Sequence, residues 1–360
     1  MLTDTDYMAR ALALAERGRG RTSPNPMVGA VVVDPEGVVV GSGAHELAGG
    51  PHAEIHALRD AGSHARGATM YSTLEPCSHV GRTGPCAPAV AAAGIVRIVV
   101  ATGDPNPLVN GAGLEMLRGS GLAVTTGVLE AEARALNAPF ISVMTRRRPF
   151  VTMKVALSAD HRIATRAGVR TPLTGLQANR LVHRDRAEVD AIAVGSGTVL
   201  ADDPALTARG AFRHRPLVRI VFDSRLRVPP TARLLSTLSA GPVIIVSSRS
   251  AVETGRERVG QLVAAGAEIL AVEREPPLVD ALERLASRGI SSVIVEGGVA
   301  LHRAFWDAGL VDRVQIYRTP HLLGPEALEW LPFQLPGLGP ITIRQLGADT
   351  LVEAYVHGTD

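Results

Sequence analysis

The first residues in this chain whose types and spacing could do chemistry are one histidine, one glutamate and the chain's only two cysteines. His52-Ala53-Glu54 opens a helical stretch, Glu75-Pro76-Cys77 follows some twenty residues later, and Cys86 comes after a further eight residues. Zinc takes three or four soft or borderline donors at tetrahedral angles, and a catalytic site leaves one position open for water. His52, Cys77 and Cys86 meet that requirement. Glu54 lies two residues past the imidazole and is not needed as a donor, so it is free to carry protons from water to a leaving amine. That combination is the chemistry of hydrolytic zinc deamination. Cys86 stands just before the run Ala87 to Ala93, where a helix dipole favours a thiolate. Pro51 and Pro76 stiffen the approach of two ligands. The plain alternative is two inert buried cysteines and a surface histidine. It would need the only cysteines of the chain to fall beside an H-x-E triplet by chance. The cysteines are separated by Ser78 to Pro85, longer than the usual two-residue spacer. This loop can reach over the metal, and His79 and Arg82 are its polar members, with Arg82 suited to a phosphate or carbonyl.

A second set of candidates lies in the other half of the chain. Gly195-Ser196-Gly197-Thr198 and Glu296-Gly297-Gly298 each follow an apolar strand-like run. Glycines at a strand-to-helix turn expose backbone N–H groups, and a helix N-terminus favours phosphate. Neither motif is a G-x-G-x-x-G fingerprint, and many such turns use glycine for steric reasons alone. Polar residues cluster at the same strand ends: Lys154, Ser158 and Asp160, then Arg186, then Asp202-Asp203-Pro204 and Arg209. In open α/β sheets ligands sit at the carboxyl ends of strands.

The elements that must position these groups alternate between helix and strand, which predicts an α/β fold with helices on the sheet faces. In the first part we expect a helix over 4–18 capped by Thr3 or Thr5, a hairpin over 28–33 and 38–40, helices over 52–61, 87–93 and 114–120, and strands over 68–74, 95–101 and 123–126. The pattern breaks at Arg146-Arg147-Arg148-Pro149, a solvated linker, and a new strand starts at Phe150. This divides the chain into domains 1–147 and 148–360. In the second domain strands are expected over 191–194, 218–222, 243–247, 268–272 and 292–295. Helices are expected over 176–186, 255–265, 278–287 and 300–308, giving a mainly parallel sheet.

Composition narrows the partners. The 360 residues carry 37 Lys+Arg against 35 Asp+Glu, a net charge of +2 that gives no case for a polyanion binder. Aromatics are only 3% of the chain, too few for the stacking channel of a nucleic-acid base deaminase, which is the main alternative function. A non-catalytic metal-binding regulator is a third reading, and the spare Glu54 speaks against it. No run is long and apolar enough for a membrane span. The first residues, with Asp4 and Asp6, do not read as a secretory signal, and two cysteines do not make a disulfide scaffold. The expected setting is the cytoplasm.

The runs Thr22-Ser23-Pro24-Asn25-Pro26-Met27-Val28-Gly29, Gly43-Ala44-His45 to His52-Ala53-Glu54, Thr73-Leu74-Glu75-Pro76-Cys77-Ser78-His79 to Cys86, and Gly103-Asp104-Pro105-Asn106-Pro107 resemble the bifunctional deaminase/reductases of riboflavin biosynthesis. Thr198 to Thr207 and Val295-Glu296-Gly297-Gly298 are similar to the reductase half of that family. The resemblance implies a cytidine-deaminase-like α/β/α sandwich followed by a dihydrofolate-reductase-like α/β domain. It implies zinc on His52, Cys77 and Cys86, Glu54 as proton shuttle, and Asn25, His45, His79 and Arg82 around a phosphoribosyl-pyrimidine. In the second half it implies NADPH against Thr198, Asp202, Gly297 and Gly298, with Arg249 as a candidate for the 2′-phosphate. Lys154, Ser158, Asp160, Arg186, Leu206, Arg209 and Glu296 would hold the reductase substrate. A small-molecule substrate and a homo-oligomer are implied, with no nucleic acid and no membrane. Two departures stand out. Asp160-His161 replaces the family's usual Asp-Gly, and Arg170-Thr171-Pro172 lacks the usual aromatic before threonine.

Overall fold

The computed structural model describes residues 2–78, 84–107, 109–274, 277–330 and 338–356. The chain forms two compact units, one ending at Arg147 and the other beginning at Arg148. In the first, helix α1 (Asp4–Ala15) starts where Thr3 accepts the Asp6 N–H and Asp6 reaches back to the Thr3 N–H, a reciprocal cap. The expected continuation to Gly18 tightens into a 3₁₀ turn over Glu16–Gly18. Strands β1 (Gly29–Val33) and β2 (Val39–Ala44) form the expected hairpin, with a bulge at Val32/Val33. Helix α2 (Ala53–Ala61), β3 (Thr69–Ser72), α3 (Cys86–Ala92), β4 (Arg97–Val100), α4 (Ala112–Gly119) and β5 (Ala123–Thr126) follow.

The five strands are ordered β2-β1-β3-β4-β5. β1 is antiparallel to both its neighbours and the rest are parallel. Val28, Ala30, Val32, Met70, Ile98 and Val100 face Ala53, Ala57 and Ala61 of α2 in one core, while Val31, Val33, Tyr71 and Val99 face Tyr7, Met8 and Ala11 of α1 in another. That two-faced alternation is what a sheet covered on both sides requires. At Gly43 of β2 a Cβ would meet the Ala53 carbonyl oxygen at 2.2 Å, so only glycine lets the strand lie directly against the first turn of α2. Helices α5 (Glu130–Leu136) and α6 (Ala138–Arg146) end this unit and were not anticipated from the sequence.

The second unit holds β6 (Phe150–Leu157), β7 (Arg162–Ala164), α7 (Leu176–Glu188), β8 (Ala191–Gly195), α8 (Ser196–Asp202), β9 (Val218–Phe222), β10 (Val243–Ser248), α9 (Arg249–Thr254), α10 (Arg256–Ala264) and β11 (Ala267–Val272). It continues with α11 (Pro277–Ala286), β12 (Ser292–Val295), α12 (Val299–Asp307), β13 (Arg313–Arg318), β14 (Leu328–Glu329), β15 (Ile341–Leu346) and β16 (Asp349–Tyr355). Nine strands run β11-β10-β9-β8-β12-β6-β13-β16-β15. The seven from β11 to β13 are parallel, and β16 and β15 close the edge antiparallel. The helix expected over 255–265 is α10, and a short helix that was not expected precedes it. Ser248 caps a separate α9 by accepting the Ala251 N–H, and the chain turns at Gly255. Among the described residues no helix is long and apolar enough to cross a membrane.

Candidate zinc and reductase sites

His52 is the N-cap of α2, held extended after Pro51, so its ring leaves the helix at the very start while Glu54 enters the buried first turn. Cys77 lies in the segment after β3, and Cys86 is the first residue of α3. His52 Nδ1 lies 3.2 Å from Cys86 Sγ and 3.5 Å from Cys77 Sγ, and the Cys86 N–H donates to Cys77 Sγ at 3.3 Å. All three donor atoms fall within 4.8 Å of one another, and both cysteines are free thiols. One imidazole nitrogen and two sulfurs at this separation fit a tetrahedral ion with one corner left over.

The electrostatics suit that use. The Cys86 thiol first, and then the His52 ring, hold the Cys77 thiol down at about 4, whereas the same shared proton and burial push Cys86 upward. Glu54 is buried beside them with the Cys86 thiol within hydrogen-bond reach, and burial pushes its carboxyl up to about 7.

His45 and Asn25 stand at the rim. The Pro51 carbonyl can only accept, so His45 Nδ1 carries its hydrogen and donates at 3.0 Å. The bare Nε2 then accepts from Asn25 Nδ2 at 3.3 Å. Burial lowers the His45 pKa, which keeps the ring in this neutral form. Its ring packs edge-on to His52 with centroids 5.4 Å apart. His79 and Arg82 lie outside the described residues.

A residue that sequence reasoning passed over supports Cys77 from behind. Glu75 is buried and accepts four main-chain N–H groups: Asp104 and Gly111 on Oε2, Gly113 and Leu114 on Oε1. One carboxylate thus gathers the loop ahead of α4 against the strand end that carries Pro76-Cys77. Its one signal in the sequence is a charged residue two positions before a candidate ligand. Asn137 similarly brackets Met27, accepting its N–H at 2.8 Å and donating to its carbonyl at 2.9 Å, two residues from Asn25.

In the second unit Arg186 and Glu296 form a two-pronged ion pair, 2.7 Å on each prong, and Lys154 Nζ is 3.7 Å from the same carboxylate. Burial would raise the Glu296 carboxyl, but the charges of Arg186 and Lys154 outweigh it and hold it at about 2. Arg186 also donates to the Thr207 carbonyl. Arg209 is exposed beside His183, whose Nδ1 accepts its N–H at 3.2 Å. His183 is half-buried, and its pKa is lowered by burial and by Arg186 and Arg209. Leu206 is buried with a left-handed φ of 51°, a strained conformation for a branched residue.

Thr198 Oγ1 accepts the Gly298 N–H at 3.1 Å, joining the two glycine turns. At Gly297 a Cβ would come 2.8 Å from Leu301 Cδ2 and 3.0 Å from the Gly195 nitrogen, so only glycine lets the ends of β8 and β12 approach this closely under the first turn of α12. At the end of β10 the buried Ser247 Oγ has no hydrogen-bond partner. Two joined glycine turns and an orphaned buried hydroxyl at the carboxyl ends of parallel strands fit a dinucleotide. Asp202 is half-buried, and burial raises its pKa against the opposing charge of Arg170.

Other expected residues are engaged elsewhere. Asp160 accepts the Ser158 hydroxyl and the Leu323 and Gly324 N–H groups, so both residues tie the β6–β7 turn to the segment ahead of β14. Arg249 is exposed and paired with Glu253 at 2.8 Å and Glu273 at 3.2 Å. An anion would have to displace both carboxylates.

Comparisons with known proteins cover both units. Residues 1–102 match the model of the cytidine and deoxycytidylate deaminase zinc-binding region, and residues 149–352 match that of the RibD C-terminal domain. The chain is 42% identical to a riboflavin biosynthesis protein RibD of Escherichia coli strain K12, covering 97% of this chain and 98% of that protein. It is also 42% identical to the RibD of Aquifex aeolicus, over 89% and 88%. Among solved structures, an Acinetobacter baumannii RibD superposes with a TM-score of 0.86 at 36% identity, covering 98% of each chain. A diaminohydroxyphosphoribosylaminopyrimidine deaminase/5-amino-6-(5-phosphoribosylamino)uracil reductase of Thermotoga maritima superposes with a TM-score of 0.85 at 33% identity, with the same coverage.

Proposed function

This chain belongs to the RibD family of riboflavin biosynthesis, and from that premise we propose how its residues divide the two reactions. The protein is a deaminase and a reductase in one polypeptide, using zinc in the first activity and NADPH in the second. We assign deamination to residues 1–147 and reduction to residues 148–360. The substrate is 2,5-diamino-6-ribosylamino-4(3H)-pyrimidinone 5′-phosphate. It loses its 2-amino group as ammonia, and its ribosyl chain is then reduced to ribityl.

His52, Cys77 and Cys86 hold the zinc, which supplies Lewis-acid activation of water when bound. Glu54 does the proton work. Its buried carboxyl, pushed up to about 7, is balanced between taking a proton and delivering it to the departing nitrogen at neutral pH. The neutral His45, with its hydrogen on Nδ1, presents Asn25 to the pyrimidine, and His79 and Arg82 face its phosphoribosyl arm. The convergence of three donor atoms within 4.8 Å beside this carboxyl is the observation that supports the reading most.

In the reductase site NADPH supplies a hydride. Thr198, Asp202, Gly297 and Gly298 line its binding place, with Arg249 at its far end. Lys154, Arg186, Arg209 and Glu296 hold the substrate, Leu206 shapes its wall, and Ser158 and Asp160 fix the turn that borders it. The enzyme works in the cytoplasm as a homo-oligomer on a small molecule, with neither nucleic acid nor membrane as partner. The near-neutral charge and scarce aromatics support that choice over a nucleic-acid base deaminase.

The test is a coupled assay on one purified chain. Wild-type protein should release ammonia and then oxidise NADPH. Glu54→Gln should keep its zinc and its NADPH oxidation on the deaminated intermediate, yet lose ammonia release by about 10²–10⁴-fold. Full ammonia release from zinc-loaded Glu54→Gln overturns the assignment.

A further inference from the structure

The lysine of the reductase site sits in an environment that its carboxylate partner does not account for. Glu296 spends both oxygens on Arg186 at 2.7 Å, and Lys154 reaches it only at 3.7 Å. An ammonium on a four-carbon stem needs a closer restraint to keep one position. The other group at hand is an aromatic face. Lys154 Nζ stands 5.4 Å from the centroid of the Tyr317 ring, within cation–π range. Tyr317 lies on β13, paired in parallel with the Lys154 strand so that Gln315 is opposite Lys154 and Tyr317 opposite Ala156. Its ring is fully buried against Ala178, Leu181 and Val182 of α7. Its hydroxyl donates to Asp185 Oδ2 at 3.3 Å, and Gln315 Nε2 donates to the same oxygen at 3.3 Å. Asp185 immediately precedes Arg186, so the residue that holds the ring and the residue that holds Glu296 are neighbours on one helix.

We propose that Tyr317 is a positioning residue of the reductase: its ring face holds the Lys154 ammonium over the site, and its burial against α7 fixes the ring in that attitude. This rests on the assignment of Lys154 to the reductase site. The charges that face Lys154 are Glu296, Arg186 and Asp185, and the buried His302 feels the lysine's charge. Between phenylalanine and pentafluorophenylalanine at this position those groups stay the same, so that comparison reads the ring's electrons alone.

The experiment replaces Tyr317 by phenylalanine and, at the same position, by pentafluorophenylalanine, which keeps the ring's volume but reverses its quadrupole. NADPH oxidation on the deaminated intermediate is followed from pH 6 to pH 10, with the fluorescence of Trp306 and Trp330, both in this unit, as the control for folding. Tyr317→Phe should lose no more than about threefold in kcat. The fluorinated ring should lower kcat about tenfold and move the alkaline limb down by about one pH unit, because the charged lysine loses its support. The KM for NADPH and the tryptophan-detected unfolding midpoint should match those of the phenylalanine variant. A fluorinated variant with the phenylalanine variant's kcat and alkaline limb overturns the proposal, as does a Tyr317→Phe variant as impaired as the fluorinated one. Lys154→Met separates the two levels of the argument. If it still oxidises NADPH normally, the lysine's assignment fails, whatever the ring does.

Discussion

Glu75→Gln should destabilise the deaminase unit by an amount that follows from its hydrogen bonds. The carboxylate accepts two N–H groups on each oxygen, Asp104 and Gly111 on one, Gly113 and Leu114 on the other. Glutamine has the same shape but one of its two ends is a donor. Whichever way the amide turns, two of the four N–H groups meet an NH₂ instead of an oxygen. Each unmatched buried group costs about 1–3 kcal/mol, so the loss is about 2–6 kcal/mol. That is a large share of the roughly 5–15 kcal/mol available to a domain. Both tryptophans, Trp306 and Trp330, lie beyond Arg148, which lets the loss be located. In a urea titration, the far-UV circular dichroism transition should gain an early phase while tryptophan fluorescence keeps its wild-type midpoint. Zinc content should fall with the early phase, since Pro76-Cys77 follow directly. A variant whose dichroism midpoint moves by less than the equivalent of about 0.5 kcal/mol, with zinc retained, would refute the carboxylate's role as the anchor of this loop.

Three further outcomes are expected. Glu296 is held at about 2, below its ordinary value of 4.5, so its pairing stabilises the fold above pH 4.5. That contribution, on the order of 3 kcal/mol, should fade as pH falls from 4.5 toward 2, and Arg186→Met should remove it from tryptophan-detected unfolding curves measured over that range. His161 sits at φ 63°, where glycine is unstrained. His161→Gly should relieve about 1–2 kcal/mol of backbone strain against about 0.5–1 kcal/mol of added chain entropy, raising the thermal midpoint by roughly 1–3 °C; a fall would show that the side chain earns its place by another contact. After zinc is stripped with a chelator, Cys77 should be alkylated by iodoacetamide at a rate nearly flat from pH 6 to pH 8, because its thiol is held at about 4; a tenfold rise per pH unit would mark an ordinary thiol.

The donor set of the zinc site was legible because ligand chemistry is a property of residue type. Only histidine and cysteine side chains among those near the H-x-E triplet suit a borderline-soft ion, and the chain has just two cysteines. The long apolar runs were legible too, since a strand buried on both faces must be apolar throughout, as Ala191 to Val194 and Val293 to Val295 are. Strand β15 was passed over although Ile341 to Arg344 alternate, because the alternation is only four residues long and belongs to an edge strand with five of its six residues exposed. Helix α9 escaped because its six residues bury none and so carry no apolar stripe.

Residue types and local periodicity therefore determined which groups could bind zinc and where most of the covered helices and strands run. Only the tertiary structure decided what those groups meet. Arg186 and Glu296 are 110 residues apart in the chain and face each other at adjoining element ends. Tyr317 reaches Lys154 through the register of two parallel strands, and Glu75 finds its four donors across a loop some 30 to 40 residues on. Such meetings depend on strand order and crossover length, which arise from packing the whole sheet and leave no trace in the spacing of nearby residues.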